Sequence, residues 1–273
     1  MRDLVLAKEF QGDVTFACQM LEGNMIERIP YDVSILQSND VNELISLIQH
    51  LHVTLLVIDH YGIDASFEQR VKEVTGVKIL SFDDTYEKHH CDILLNHNVY
   101  ADEKRYASLV PEHCELRCGT PLIREEFREE KKRQREKRYD VLVAMGGSDV
   151  ANLTQFIAHT CPPHWRVALL TTTSNAHLKE LQNYVLDKPH LFLHVNSKEV
   201  AKLLHQSGLA IITPSSIVHE VLFMNIPFIA IKVASNQDDM YHYLKEHHVP
   251  LMSSFEPQQM LSLVDTLLQK DEG

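Results

Sequence analysis

Three short segments in the second half of the chain carry residues that could bind a phosphorylated ligand. The first is Gly146-Gly147-Ser148, which follows an apolar run typical of a β-strand. Because glycine has no Cβ, a ligand could approach the backbone amides closely there. The spacing matches neither G-x-G-x-x-G nor a phosphate loop ending in Gly-Lys-Ser/Thr, so it indicates neither hydride transfer nor ATP hydrolysis. An ordinary strand–helix turn is the alternative interpretation.

The second segment places two hydroxyls at the predicted start of a helix. Ser215 and Ser216 follow an apolar strand, and Glu220 lies about one helical turn beyond Ser216. Hydroxyls and free amides at a helix N-terminus suit a phosphate, because the helix dipole favours an anion there. A carboxylate one turn further along could hold a ribose diol. The alternative is a serine helix cap with a solvent-facing glutamate.

The third segment places Asn236 and Gln237 after the next predicted strand. If the three strands are parallel neighbours, the three polar segments lie together at the carboxyl edge of one sheet. That edge is where open α/β sheets bind ligands. The three segments together therefore predict a site for a nucleoside diphosphate that lacks a basic phosphate loop.

Two polar segments in the first half of the chain also follow predicted strands. Asp59, His60 and Tyr61 offer an acid, a base and a phenol, and Asp83-Asp84 follows the next strand. These groups could support general acid–base chemistry. Turn-favouring polar residues and a helix cap are the alternative interpretation.

The elements that must position these residues alternate along the chain. Short runs rich in Val, Ile and Leu are followed by segments of helical periodicity, a pattern typical of parallel sheets covered by helices on both faces. The sequence therefore predicts an α/β fold, and 273 residues suffice for two domains. Residues 2–11 predict a helix with no strand before it, so we expect the first domain to lack its initial, central strand.

A charged segment marks the predicted domain boundary. Residues 125–138 hold twelve charged side chains in fourteen positions. We interpret them as a solvated helix or interdomain linker between a first domain at 1–124 and a second domain at 139–273, with a nucleic-acid arm as the alternative. The last predicted helix, at 257–269, could pack on either domain.

Composition excludes several classes of protein. A formal net charge of −12 disfavours a general nucleic-acid-coating role. No apolar run is long enough to span a membrane, and no signal peptide is evident, so we expect a cytoplasmic protein. The five cysteines are scattered, which indicates free thiols. The seventeen histidines show no metal-ligand spacing, so we expect no metal.

Eight segments, in order along nearly the whole chain, carry a family resemblance. They are RDLVLAKEF, LLVIDHYGI, VKILSFDD, CDILLNHN, LIREEF, MGGSD, PSSIVHE and SNQ. Together they resemble the nucleotide-sugar hydrolase family of pseudaminic acid biosynthesis, which acts on UDP-2,4-diacetamido-2,4,6-trideoxy-β-L-altropyranose. The resemblance implies two Rossmann-like domains of GT-B type, similar to the peptidoglycan N-acetylglucosaminyltransferase. It also implies a product that feeds a nonulosonic acid for surface or flagellar glycans.

The resemblance assigns roles to the residues above. It implies that the domain at 1–124 faces the sugar and that the domain at 139–273 binds UDP. The implied reaction is attack of water on the anomeric carbon with inversion and departure of UDP, without a metal or another cofactor. The implied roles are Gly146, Gly147 and Ser148 lining the UDP site, Ser215 and Ser216 holding the diphosphate, Glu220 holding the ribose, Asn236 and Gln237 making further nucleotide contacts, and Tyr61 lying near the sugar as a catalytic candidate.

The chain departs from the family pattern at its start. The family places a Gly-His-x-x-Arg loop after its first strand, and that histidine is the expected base for the water. Here Arg2 matches the arginine and only Met1 precedes it. We therefore expect the chain as given to bind UDP and to turn substrate over poorly. A GT-B glycosyltransferase using a UDP-amino sugar and a non-catalytic UDP-sugar-binding protein are the alternatives.

Overall fold

The structure is a computed structural model that describes residues 2–21, 24 and 26–270. It divides into two compact units, Met1–Leu122 and Ile123–Gly273. Every strand pairing in the described ranges is parallel. The predicted α/β class is therefore confirmed. No helix among these residues combines the length and the apolar character needed to cross a membrane.

The first unit contains two parallel sheets. Its helices and strands are α1 (Arg2–Ala7), β1 (Thr15–Gln19), β2 (Asp32–Leu36), α2 (Val41–Leu51), β3 (Leu55–Ile58), α3 (Ala65–Thr75), β4 (Lys78–Phe82), β5 (Ile93–Asn96) and β6 (Glu115–Cys118). Strands β1 and β2 pair with each other, and the other four form a sheet in the order β3-β4-β5-β6. As the sequence predicts, α1 comes before the first described strand.

Local capping chemistry sets the ends of the helices in this unit. The carboxylate of Asp40 accepts hydrogen bonds from the first-turn amides of α2, and Asp64 does the same for α3. Gly76 ends α3 with φ at +68°, a conformation that glycine adopts without steric cost. The two aspartates fix the starts of α2 and α3, and Gly76 fixes the turn that leads into β4. The carboxyl ends of β3 and β4 carry the polar residues at 59–61 and 83–84.

The second unit is built on one six-stranded parallel sheet. Its elements are α4 (Glu125–Lys131), β7 (Tyr139–Ala144), α5 (Leu153–Thr160), β8 (Val167–Thr171), α6 (Leu178–Val185), β9 (Leu191–Val195), α7 (Val200–His205), β10 (Ser207–Ile212), α8 (Ile217–Met224), β11 (Phe228–Ile231), α9 (Asp238–Glu246), β12 (Leu251–Met252) and α10 (Pro257–Lys270). The strand order is β12-β11-β10-β7-β8-β9. Helix α10 packs on the core of this unit through Met260 and Val264.

The charged segment at 125–138 contains a helix, one of the two forms predicted, but it is less solvated than the sequence predicts. Its first half forms α4, which lies in the second unit and buries Phe127 and Glu130. Glu130 accepts two hydrogen bonds from Arg135, at 2.7 and 3.1 Å, so its buried charge is paired. One aromatic side chain and one paired carboxylate are enough to dock a helix whose composition indicates full solvation.

A buried charge network holds the loop that follows β4. The Nδ1 atom of His89 lies 2.8 Å from the Glu68 carboxylate, and its Nε2 atom lies 3.9 Å from that of Asp83. Tyr106 donates to Asp83 at 2.7 Å, and Ser81 donates to Glu68 at 2.6 Å. Burial disfavours a charged imidazole, but the two carboxylates outweigh it and raise the pKa of His89 to about 9.

Because of this network, we expect the stability of the protein to fall as the pH becomes alkaline. A histidine whose pKa rises from 6.5 to about 9 on folding contributes fully below pH 6.5. That contribution, roughly 3 kcal/mol, is lost as pH rises through 9. We therefore expect the free energy of unfolding in urea to fall across this range in the wild type and to fall less in His89→Gln. The control is His50→Gln, an exposed histidine of the same unit. Parallel pH profiles for all three proteins would contradict the prediction.

Candidate functional site

The three polar segments of the second unit lie at one edge of its sheet. Strands β11, β10 and β7 are consecutive neighbours and run parallel. The loops that leave their carboxyl ends therefore emerge side by side. The sheet thus brings together the predicted ligand residues, which are Gly146, Gly147, Ser148, Ser215, Ser216, Asn236 and Gln237.

The glycine loop after β7 has a backbone conformation that would be strained if another residue replaced Gly146 or Gly147. Gly146 has φ at +92°, which L-residues adopt at a cost. A Cβ atom on Gly147 would lie 3.3 Å from the side chain of Thr172, whose hydroxyl donates to the Gly147 carbonyl at 2.8 Å. Asp149 is buried and accepts hydrogen bonds from the amides of Leu153 and Thr154, both at 2.9 Å. The loop is therefore held at its far end by the start of α5.

The serines after β10 have different partners. The Ser215 hydroxyl lies 3.0 Å from the hydroxyl of Thr213. Ser216 is exposed at the N-terminal boundary of α8, and its side chain makes no capping hydrogen bond to that helix. The structure therefore disfavours the interpretation of Ser216 as a side-chain helix cap. The residue stands at the helix end where the positive end of the dipole lies.

Glu220 lies in the first turn of α8 and is paired with Arg124. Nε of Arg124 donates to one carboxylate oxygen at 2.6 Å, and Nη2 donates to the other at 3.0 Å. Burial raises the pKa of Glu220 above its usual range even though the guanidinium opposes the shift. Glu220 is therefore a fixed carboxylate and differs from the solvent-facing glutamate of the alternative interpretation.

The loop after β11 is folded back on its own strand. The side-chain oxygen of Gln237 accepts a hydrogen bond from the Val233 amide at 2.9 Å, and Lys232 pairs with Asp238. Asn236 is exposed in the short 3₁₀ turn between them. Gln237 thus uses its oxygen to shape the loop and keeps its amide group as a possible donor.

The first unit gathers its polar residues around one arginine. Arg2 donates two hydrogen bonds to Asp59, at 2.8 and 2.5 Å, and one to Asp84 at 2.8 Å. The hydroxyl of Tyr61 donates to Asp84 at 3.0 Å, while 77% of the tyrosine is exposed. The Nδ1 atom of His60 instead accepts a hydrogen bond from the backbone amide of Gly62 within its own loop. The ends of β3 and β4 therefore present a phenol next to a paired carboxylate.

Charge pairing in this cluster shifts three pKa values. Burial raises the pKa of Asp59, but its hydrogen bonds with Arg2 outweigh that effect and hold the pKa below its usual range. Burial and the neighbouring Asp59 carboxyl raise the pKa of Asp3 to about 7. Desolvation and the Asp84 carboxylate raise the pKa of Tyr61. Tyr61 therefore keeps its proton at neutral pH and acts as a hydrogen-bond donor.

The sequence alone does not indicate the structural roles of two residues in these clusters, Arg2 and Arg124. Arg2 matches a motif position, but only the fold shows that it joins the ends of β3 and β4. Arg124 stands inside a dense run of charges and pairs with a residue 96 positions away, so local spacing gives no signal for it. Among the described residues, no group of three or more His, Cys, Asp or Glu side chains is arranged to hold a metal ion.

Comparisons with known proteins agree with this architecture. No protein-family model matches the chain. Acinetobacter baumannii MurG shares 12% identity at a TM-score of 0.63, over 98% of this chain and 86% of that one. Anabaena Alr3699/HepE, solved in complex with UDP and glucose, shares 10% identity at a TM-score of 0.63, over 99% of this chain and 86% of that chain. These likenesses confirm the predicted GT-B fold.

A relative in Campylobacter jejuni subsp. jejuni serotype O:2 is far more similar in sequence. It is named UDP-2,4-diacetamido-2,4,6-trideoxy-beta-L-altropyranose hydrolase and is 46% identical over 245 residues, which cover 89% of each chain. Identity at this level over this length is a family relationship. The chain therefore belongs to the family of UDP-2,4-diacetamido-2,4,6-trideoxy-β-L-altropyranose hydrolases.

Proposed function

We propose that this chain hydrolyses UDP-2,4-diacetamido-2,4,6-trideoxy-β-L-altropyranose to UDP and the free sugar. The observation that carries the proposal is its 46% identity to the Campylobacter hydrolase over 89% of both chains. The side-by-side loops at the ends of β7, β10 and β11 support it, because such an edge suits a nucleoside diphosphate. Water attacks the anomeric carbon with inversion, and the bond to the diphosphate oxygen breaks.

The loops of the second unit supply the means to stabilise the departing UDP. Negative charge develops on the diphosphate as the glycosidic bond breaks. The amides at the start of α8 and the hydroxyls of Ser215 and Ser216 are fixed dipoles that stabilise such charge. We assign the amides of Gly146, Gly147 and Ser148 to the nucleotide as well, because their loop is exposed and its backbone is open to close approach.

The remaining ligand roles follow from donor and acceptor chemistry. Glu220 is an acceptor pair suited to the two ribose hydroxyls, and Asn236 and Gln237 offer amide groups to the nucleotide. Tyr61 is assigned to the sugar, because its exposed hydroxyl is oriented by Asp84. We also propose a cytoplasmic location, which is consistent with the five cysteines being free thiols.

The direct test is product analysis with the purified UDP-sugar. We expect UDP and a reducing sugar to form in equal amounts, above the rate without protein and without any acceptor present. A glycosylated acceptor in place of free sugar would indicate a transferase. Saturable UDP binding without turnover would indicate a binding protein. Either result would overturn the proposal.

The Gly146 loop generates a prediction about nucleotide affinity. Gly146→Ala should destabilise the protein by about 1–2 kcal/mol, because φ at +92° is costly for alanine. It should also weaken UDP binding, measured by calorimetry, because the loop backbone must shift. Gly76→Ala is the matched control, since Gly76 also has a positive φ, +68°, but lies in the first unit at the end of α3. Equal UDP affinity in the two variants would argue against a nucleotide role for this loop.

The Tyr61–Asp84 contact generates a prediction about turnover. Tyr61→Phe removes one hydroxyl from a largely exposed ring, so stability should change by less than about 0.5 kcal/mol. If the hydroxyl donates to the sugar in the transition state, kcat should fall about tenfold or more while UDP affinity stays unchanged. Tyr243→Phe, whose ring stacks on His247 in the second unit, is the control. An unchanged kcat in Tyr61→Phe would remove Tyr61 from the sugar site.

A further inference from the structure

Arg124 engages Glu220 in a way that specifies the orientation of the carboxylate. The guanidinium gives one hydrogen bond to each oxygen, at 2.6 and 3.0 Å. Such a two-point contact fixes the carboxylate plane as well as its position, which a single lysine contact does not do. The Glu220 side chain is only 13% exposed, so solvent does little to screen the pair.

The guanidinium is itself held by its neighbours on α4. Its Nη1 atom lies 2.7 Å from the Glu126 carboxylate, and the group lies 4.8 Å from the centre of the Phe127 ring. A cation at the opposite end of α4, Lys131, donates to the carbonyl of Phe223 in α8. Arg124, at the residue before α4, and Lys131, at its last residue, thus both contact α8, and of the two Arg124 is the one that pairs with Glu220.

The Arg124 contact leaves Glu220 able to accept more hydrogen bonds. An ionised carboxylate offers about four lone-pair sites, and the guanidinium uses two of them. Burial works against the ionised form, and Arg124 counteracts that effect. A neutral carboxyl would lose acceptor capacity, and a freely rotating carboxylate would bind the two hydroxyls of a diol at a larger entropic cost.

We propose that Arg124 is a positioning residue that orients the Glu220 carboxylate toward the ribose diol, so that selection of a ribonucleotide depends on Arg124. The inference rests on the proposed function, in which Glu220 holds the ribose. It adds a residue that touches neither the nucleotide nor the sugar and acts only through Glu220.

The test compares UDP with 2′-deoxy-UDP by calorimetry. For the wild type we expect UDP to bind about tenfold or more tightly, as suits a hydrogen bond to a charged acceptor. In Arg124→Gln the preference should shrink to about twofold, mainly through weaker UDP binding. Lys131→Gln is the matched control, because it removes a second cation that contacts α8, one that pairs with the Phe223 carbonyl and not with Glu220. It should retain the wild-type preference.

Several results would overturn the proposal. They are a full preference for UDP in Arg124→Gln, no preference in the wild type, or an equal loss in Lys131→Gln, which would indicate general displacement of α4. If Arg124→Gln does not fold, Arg124→Lys keeps the charge but loses the fork, and a wild-type preference in that variant would also overturn the proposal. In a double-mutant cycle with Glu220→Gln, additive effects would count against it, since coupled residues give non-additive effects.

The experiments distinguish a failure of the hydrolase proposal from a failure of the proposal for Arg124. UDP release from the nucleotide sugar tests the reaction, whereas the ratio of the two nucleotide affinities tests only the ribose contact. A wild type that hydrolyses the substrate yet binds both nucleotides equally would refute the role of Arg124 alone. A wild type that prefers UDP but releases none from the nucleotide sugar would refute the hydrolase alone.

Discussion

Parallel pairing of buried strands is the constraint on which the rest of the molecule depends. In the second unit the side chains of Val141, Val143, Ile211 and Ile229 are fully buried, so these stretches of the strands are apolar. Most of the polar side chains proposed to bind the ligand lie in the loops that follow, and parallel strands deliver all of their outgoing loops to one edge. The site is therefore a consequence of sheet topology, and the sequence between strands decides only which ligand it suits.

A second theme, present within each unit taken by itself, is that cations fix partly or fully buried carboxylates. Arg2 pairs with Asp59 and Asp84, Arg124 pairs with Glu220, and a charged His89 lies between Glu68 and Asp83. Each carboxylate is partly or fully buried, so an unpaired charge would be costly. Pairing offsets the cost of burying these groups and gives each carboxylate a defined direction.

Much of the fold and the candidate site could be predicted, because the determining signals are local. Strands such as Val167–Thr171 are largely apolar runs, and Gly146 and Ser216 lie two and four residues beyond the ends of β7 and β10. The signals that failed are not local. Helix α4 docks through Phe127, a single apolar residue among charges, and the partner of Arg124 lies 96 residues away. Spacing along a chain cannot reveal an ion pair that only the packing of two helices creates.

The anchoring of the glycine loop has a thermodynamic consequence for binding. Its start is joined to the central strand β7, its middle is held by Thr172, and Asp149 ties its end to α5. A loop with two adjacent glycines would otherwise lose much conformational entropy when a ligand ordered it. Here that entropy is lost when the unit folds, so ligand contacts need not offset it. The conformational freedom of glycine lets this loop adopt its shape, and a ligand bound as proposed would meet a backbone that is already ordered.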